Sequence, residues 1–243
     1  MADPALADCT PGDKSLPEFV ISPPEQMAVP VAGMGLFPVR RIFCVGRNYA
    51  AHAREMGSDP TREPPFFFTK PADAVVPGRQ DTPYPTLTAN LHHEMELVVA
   101  IGQAGADVPA AAALGLVFGY AAGLDLTRRD LQDEAKAMRR PWDMSKGFDA
   151  SAPIGEIVPV AIAGHPAAGP ISLKVNGEIR QSGDLADQIW PVPEIIAALS
   201  KLVRLAPGDL IFTGTPDGVG PLQRGDVLEG EIAGVGYVRT RIV

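Results

Sequence analysis

The segment His92-His93-Glu94-Met95-Glu96-Leu97-Val98-Val99 sets two carboxylates two positions apart where an apolar strand begins. Side chains alternate along a strand, so Glu94 and Glu96 share one face. Two like charges on a half-buried face repel unless a cation lies between them. Carboxylate oxygens are hard donors, which favours Mg²⁺, Mn²⁺ or Ca²⁺ over zinc. The competing reading is a solvated strand edge. The order is not His-Glu-x-x-His, so a zinc protease is not indicated. A third carboxylate, Asp125, ends the apolar run 120–124 and precedes a helical pattern. If that helix starts near Asp125, Arg129 and Gln132 follow at i+4 and i+7 and all three face one way. The alternative is an i,i+4 ion pair on a surface helix.

His52 and Glu55 stand three apart in a helical pattern over 48–56. At that spacing a carboxylate can orient an imidazole, and an oriented imidazole can deprotonate water; an ordinary exposed pair has the same spacing. Lys70 follows a Phe-rich segment, and Lys146 sits in Trp142-Asp143-Met144-Ser145-Lys146-Gly147. A lysine buried among such neighbours needs an anion, whereas a snorkelling lysine does not. Three acids around a divalent cation leave one negative charge, which a nearby lysine would balance. The loop Thr213-Gly214-Thr215-Pro216-Asp217-Gly218-Val219-Gly220 lacks the signatures of phosphate and dinucleotide loops. Its N–H groups and Thr hydroxyls can hold a carboxylate, although tight turns use the same residues.

These residues need elements to carry them. Short apolar runs predict strands over 42–45, 65–69, 96–101 and 117–124. Asn176-Gly177 between 171–175 and 178–181 predicts a type I′ hairpin. Further strands are expected over 210–213, 227–232 and 237–243. Helices are expected over 48–56, capped at Gly57, over 109–114, over 127–138 with Thr127 and Asp130 as a capping pair, and over 193–203. In the last of these, Ile195, Ile196, Leu199, Leu202 and Val203 form one apolar face. The expected fold is α+β and β-rich with short helices. Strands and helices do not alternate regularly, which disfavours a doubly wound sheet.

With 243 residues the chain can build one sizeable core. Pro17, Pro23, Pro24, Pro30 and Pro38 mark residues 1–40 as an extended arm or small cap before a catalytic region at 41–243. The net charge of −8 disfavours a nucleic-acid partner. Two cysteines, Cys9 and Cys44, provide neither a disulfide framework nor zinc spacing. The start has no secretory pattern, and no apolar run is long enough to span a membrane, so a cytoplasmic protein is expected.

Taken in order, the motifs resemble the fumarylacetoacetate hydrolase family from about Arg41 onward. They are Val45-Gly46-Arg47-Asn48-Tyr49-Ala50, the His52/Glu55 pair, Phe68-Thr69-Lys70-Pro71, Asn90-Leu91-His92-His93-Glu94-Met95-Glu96-Leu97, Leu124-Asp125-Leu126-Thr127, Arg129-Asp130-Leu131-Gln132, Lys146-Gly147-Phe148, Val175-Asn176-Gly177 and the 213–220 loop. The resemblance implies a β-roll or sandwich with short flanking helices, in a homodimer. It implies Mg²⁺ or Mn²⁺ on Glu94, Glu96 and Asp125, and a water-activating His52–Glu55 dyad on a mobile lid. It places Lys146, Arg129 and Gln132 against the substrate and Thr215 near a substrate carboxylate, with Lys70 in a matching substrate-side motif. The implied reaction is hydrolysis of a carbon–carbon bond in a 2,4-dioxo acid. The Pro-rich arm and Arg62-Glu63-Pro64-Pro65-Phe66-Phe67-Phe68 point to fumarylpyruvate, as in gentisate-type aromatic degradation. Acylpyruvases and oxaloacetate decarboxylases share the core motifs, and a non-catalytic 2-oxo acid binding protein is the reading from another class. Arg47, Arg54 and Arg128 are the candidates for holding a distal carboxylate.

Overall fold

The apolar runs of the sequence meet in one mixed sheet. A computed structural model describes residues 19–55 and 63–243; Cys9, Pro17, Met56, Gly57 and Arg62 lie outside the described residues. Met95–Ile101 and Val117–Leu124 pair antiparallel at the sheet centre, and Asp209–Phe212 lies on the other side of Met95–Ile101. Arg41–Gly46 runs parallel to Asp209–Phe212 and antiparallel to Phe66–Lys70, which forms one edge. Toward the other edge, Ala152–Ile154 pairs with Val117–Leu124 and runs parallel to Val75–Pro77. A separate four-stranded antiparallel sheet takes Glu178–Asp184, Pro170–Val175, Val227–Ile232 and Gly236–Arg241 in that order. The expected hairpin is its first pair, with Asn176 at φ 53° and Gly177 at φ 82° in the turn.

The central strands read as near-continuous apolar runs because both their faces are covered. Met95, Leu97, Val99 and Ile101 enter one core, shared with Ile171, Leu173, Leu228 and Ile232 of the second sheet. Val98 and Ala100 enter another, with Ile42, Cys44, Leu210 and Phe212. A short hairpin of Ala28–Pro30 with Leu36–Pro38 closes that second core through Val29 and Phe37. Each fully buried Leu, Ile, Val or Phe contributes about 1.5–3 kcal/mol. Helix Val192–Leu202 packs Ile195, Ile196 and Leu199 on the first core, while Leu202 of the expected face is exposed.

One helix start departs from expectation. Thr127–Arg128 is a short strand paired with Leu91–His93, and the helix runs Arg129–Ala137. Thr127 donates to the Asp125 carbonyl instead of capping the helix, and the Asp130 carboxylate accepts from the Thr88 hydroxyl and the Ala89 and Leu131 N–H groups. Asp125 therefore ends a strand and shares no helix with Arg129. Among the described residues no helix is long and apolar enough to cross a membrane.

Candidate metal centre and catalytic cleft

Glu94, Glu96 and Asp125 converge, each offering one oxygen, with those oxygens all within 4.8 Å of one another. The convergence follows from register. Met95 pairs with Leu124 at the end of the central ladder, and the Asp125 N–H donates to the Glu94 carbonyl just beyond it. Period two then sets Glu96 on the same face as Glu94. All three carboxylates are buried, which rules out a solvated strand edge.

Buried carboxylates need compensation. Lys146 Nζ lies 2.8 Å from Glu94 Oε2 and 2.6 Å from Asp125 Oδ2. Arg129 Nη2 lies 2.5 Å from Glu94 Oε1. Burial alone would raise the Glu94 carboxyl, but Lys146 and then Arg129 outweigh it and hold it well below the usual range. Burial lowers Lys146 in turn, and the Asp125 and Glu94 charges reverse this and raise it. Among the described residues Glu96 receives only the Gly214 N–H, at 2.7 Å. Its burial, with the Asp125 and Glu94 charges beside it, pushes its carboxyl well above the usual range. Removing one partner of such a buried cluster costs about 3–5 kcal/mol.

These residues fit a hard divalent cation. The donor set is all oxygen. Asp125 Oδ1 is buried without an aligned hydrogen-bond donor, although Lys70 Nζ approaches it at 2.8 Å as an ion pair. Glu96 is an acid whose charge the surroundings do not support alone. A cation between the three would engage the first and relieve the second.

His52 lines the same cleft as the acids. Its Nδ1 lies 3.2 Å from Glu55 Oε2, and Glu55 also accepts from the Gly218 N–H at 3.1 and 3.2 Å. The Gly-rich loop thus holds protein carboxylates, Glu96 through Gly214 and Glu55 through Gly218. Both glycines have positive φ, and a Cβ at Gly218 would lie 2.2 Å from the Arg180 carbonyl oxygen. Thr215, Arg129, Gln132 and Lys146 also line the cleft, and Arg129 Nη1 donates to Gln132 Oε1 at 2.6 Å. One wall is aromatic: the Phe68 and Trp142 rings lie 5.9 Å apart.

Lys70 lies beneath Asp125, outside the residues that line the cleft, and it donates to the Leu126 and Lys146 carbonyls. Of the candidate arginines, Arg47 lines the cleft, while Arg128 lies over the Phe148 ring and Arg54 is exposed outside the lining.

Three positioning residues escaped the sequence reading. Asn48 ties the start of the His52 helix to the Trp190 and Thr213 carbonyls. Gln181 donates to Thr215 Oγ1 and the Pro216 carbonyl and accepts from the Met95 N–H. His92 accepts at Nδ1 from Arg129 Nε, and burial, then the Arg129 charge, lower its pKa to about 4. Its neutral ring helps aim the guanidinium at Glu94. The Asn of a helix start and the Gln of a hairpin carry no signal of their distant partners.

The chain is similar to known proteins along most of its length. A family model described as fumarylacetoacetate (FAA) hydrolase C-terminal matches residues 41–243. The crystal structure of fumarylpyruvate hydrolase from Pseudomonas aeruginosa, in complex with Mn²⁺ and pyruvate, superposes with a TM-score of 0.91 at 52% identity, covering 93% of this chain and 99% of that one. The mitochondrial oxaloacetate tautomerase FAHD1 of Homo sapiens is 46% identical over 196 residues, 81% of this chain and 88% of that protein. Its Mus musculus counterpart is 44% identical over 203 residues, 84% of this chain and 91% of that protein. The chain belongs to the fumarylacetoacetate hydrolase family.

Proposed function

We propose that this chain is a divalent-metal-dependent hydrolase that cleaves fumarylpyruvate to fumarate and pyruvate. The observation that carries this reading is one cleft lined by both the Glu94–Glu96–Asp125 cluster and His52, whose Nδ1 is paired with Glu55. The Pseudomonas relative, 52% identical, is a fumarylpyruvate hydrolase and holds pyruvate, one of the two products.

Glu94, Glu96 and Asp125 would hold a Mg²⁺ or Mn²⁺ ion, which when bound would supply electrophilic stabilisation for the 2-oxo acid end of the substrate. Arg129 and Gln132 flank that end, and the Thr215 hydroxyl, held by Gln181, faces its carboxylate. With Nδ1–H donated to Glu55, His52 keeps Nε2 to take a proton from water. The hydroxide forms a bond to the carbonyl carbon remote from the acid end. Collapse of the tetrahedral adduct breaks the carbon–carbon bond and sends its electron pair to pyruvate as an enolate. The Lys146 ammonium faces the developing negative charge, and the proton held by His52 returns to the enolate carbon. Water oxygen ends in the new carboxylate of fumarate. Turnover in ¹⁸O-water is expected to label that carboxylate; unlabelled fumarate would contradict hydrolytic attack.

A second reading is proton transfer on oxaloacetate, favoured by the mouse and human relatives. It needs the His52 base but no attacking water. Enol–keto exchange of oxaloacetate without any cleavage of fumarylpyruvate would select it.

A further inference from the structure

The inner end of the cleft accounts for one end of a 2-oxo acid; the outer end carries a second set of charges. Arg129, Gln132 and Lys136 recur along one face of helix Arg129–Ala137, and all three line the cleft. From Arg129 to Lys136 the helix rises about 10 Å, comparable to the length of an extended fumarylpyruvate dianion. Lys136 Nζ stands 5.6 Å from the Trp142 ring centre, and its one carboxylate neighbour among the described residues, Asp133 at 3.5 Å, is 60% exposed. Such an exposed pair is worth little and yields readily to a better-placed anion.

Arg47 faces the same space. It lies between strand Arg41–Gly46 and helix Ala50–Glu55 with φ 59°, a left-handed conformation that a residue with a side chain adopts at a cost. Its guanidinium has no carboxylate partner among the described residues. Burial, followed by the Arg129 charge and with Arg47 contributing, lowers Lys136 below the usual lysine range. These cations lie within one another's field, and an anion between them relieves the repulsion.

We infer that Arg47 and Lys136 form an anion subsite for the second carboxylate of a dicarboxylic substrate, with Trp142 and Phe68 flanking the carbons between its two ends. The orientation of the substrate rests on the proposed reading, in which the 2-oxo acid end lies at the acidic cluster. The subsite makes the enzyme selective for diacids over monoacids that share the same head. An overall charge of −8 does not oppose this, because the local field at the mouth is set by Arg47 and Lys136.

The test is calorimetric binding of 2-oxoheptanedioate and 2-oxoheptanoate to the Mn²⁺-loaded full chain. Neither ligand has a second carbonyl to be attacked, so the readout is independent of turnover. The wild type is expected to bind the diacid about tenfold more tightly than the monoacid. Arg47→Met and Lys136→Met should each reduce that ratio, the double variant should abolish it, and Lys136→Arg should keep it, with monoacid affinity unchanged throughout. Equal affinity of the wild type for both ligands would overturn the subsite, as would variants that lose both ligands alike. A preserved diacid preference in a protein that fails to cleave fumarylpyruvate would overturn the hydrolase reading and support the subsite.

Discussion

Glu96 shows how one buried acid can act as a sensor of the cation it awaits. Its carboxyl is pushed well above the usual range by burial and by the Asp125 and Glu94 charges, while Glu94 is held low by Lys146 and Arg129. Between the ordinary carboxylate pKa and that raised value, the metal-free protein carries a proton on Glu96 that metal must displace. Metal binding should therefore release protons, and affinity should fall as pH falls. The linked stability runs the other way. A raised folded-state pKa favours the metal-free fold at low pH, and that contribution is lost as pH rises through it, so the rise in Tm on adding Mn²⁺ should grow with pH. Calorimetry in buffers of different ionisation enthalpy reads the proton release; pH-independent affinity with none released would contradict the account. Glu96→Gln should retain the metal-free fold and lower metal affinity at least about tenfold. His52→Ala should abolish cleavage and leave the metal titration unchanged, and residual hydrolysis at the wild-type rate would remove His52 as the base. The Glu94/Glu96 pair was legible in the sequence because two acids two positions apart at the entry to the apolar strand Met95–Ile101 fall on one face. The place of Lys70 was not, because its position below Asp125 depends on the strand pairing of Phe66–Lys70 with Arg41–Gly46.

At the scale of elements, the Gly-rich loop, the hairpin and the His52 helix behave as one support. Gly214 N–H holds Glu96, Gly218 N–H holds Glu55, and Gln181 of the hairpin strand holds Thr215. Gly218→Ala should force the loop away from the Arg180 carbonyl and loosen Glu55. The expected result is a loss in kcat of about tenfold or more with metal affinity retained; unchanged kcat would show that Glu55 needs no such tether. Gln181→Leu should leave the Met95 N–H and its other partners unsatisfied, costing about 1–3 kcal/mol, read as a lower denaturant midpoint. The hairpin turn at Asn176-Gly177 was legible because its positive φ angles demand those residues. The helix start was misread because Thr127 and Asp130 have capping chemistry but spend it on Asp125 and on the 88–89 segment.

At the scale of the molecule, individual strands could be read from apolar runs, but their order could not. The parallel pairing of Arg41–Gly46 with Asp209–Phe212 joins segments far apart in sequence, and Val75–Pro77 is too short to stand out before it meets Ala152–Ile154. Ordered motifs and family resemblance, rather than periodicity, supplied the roll-like fold. That long-range closure is nevertheless what brings the acids at 94, 96 and 125, the Glu55-paired histidine at 52, and the lysine at 146 to one cleft. Only the assembled chain can therefore be asked for the reaction. The most direct measurement follows the ultraviolet absorbance of fumarylpyruvate with purified protein, with Mg²⁺ or Mn²⁺ and then with chelator. A hydrolase of this kind should give rapid loss of absorbance with metal, equal yields of fumarate and pyruvate, and arrest by the chelator. Persistence of the absorbance with fully metal-loaded, folded protein would contradict fumarylpyruvate hydrolysis.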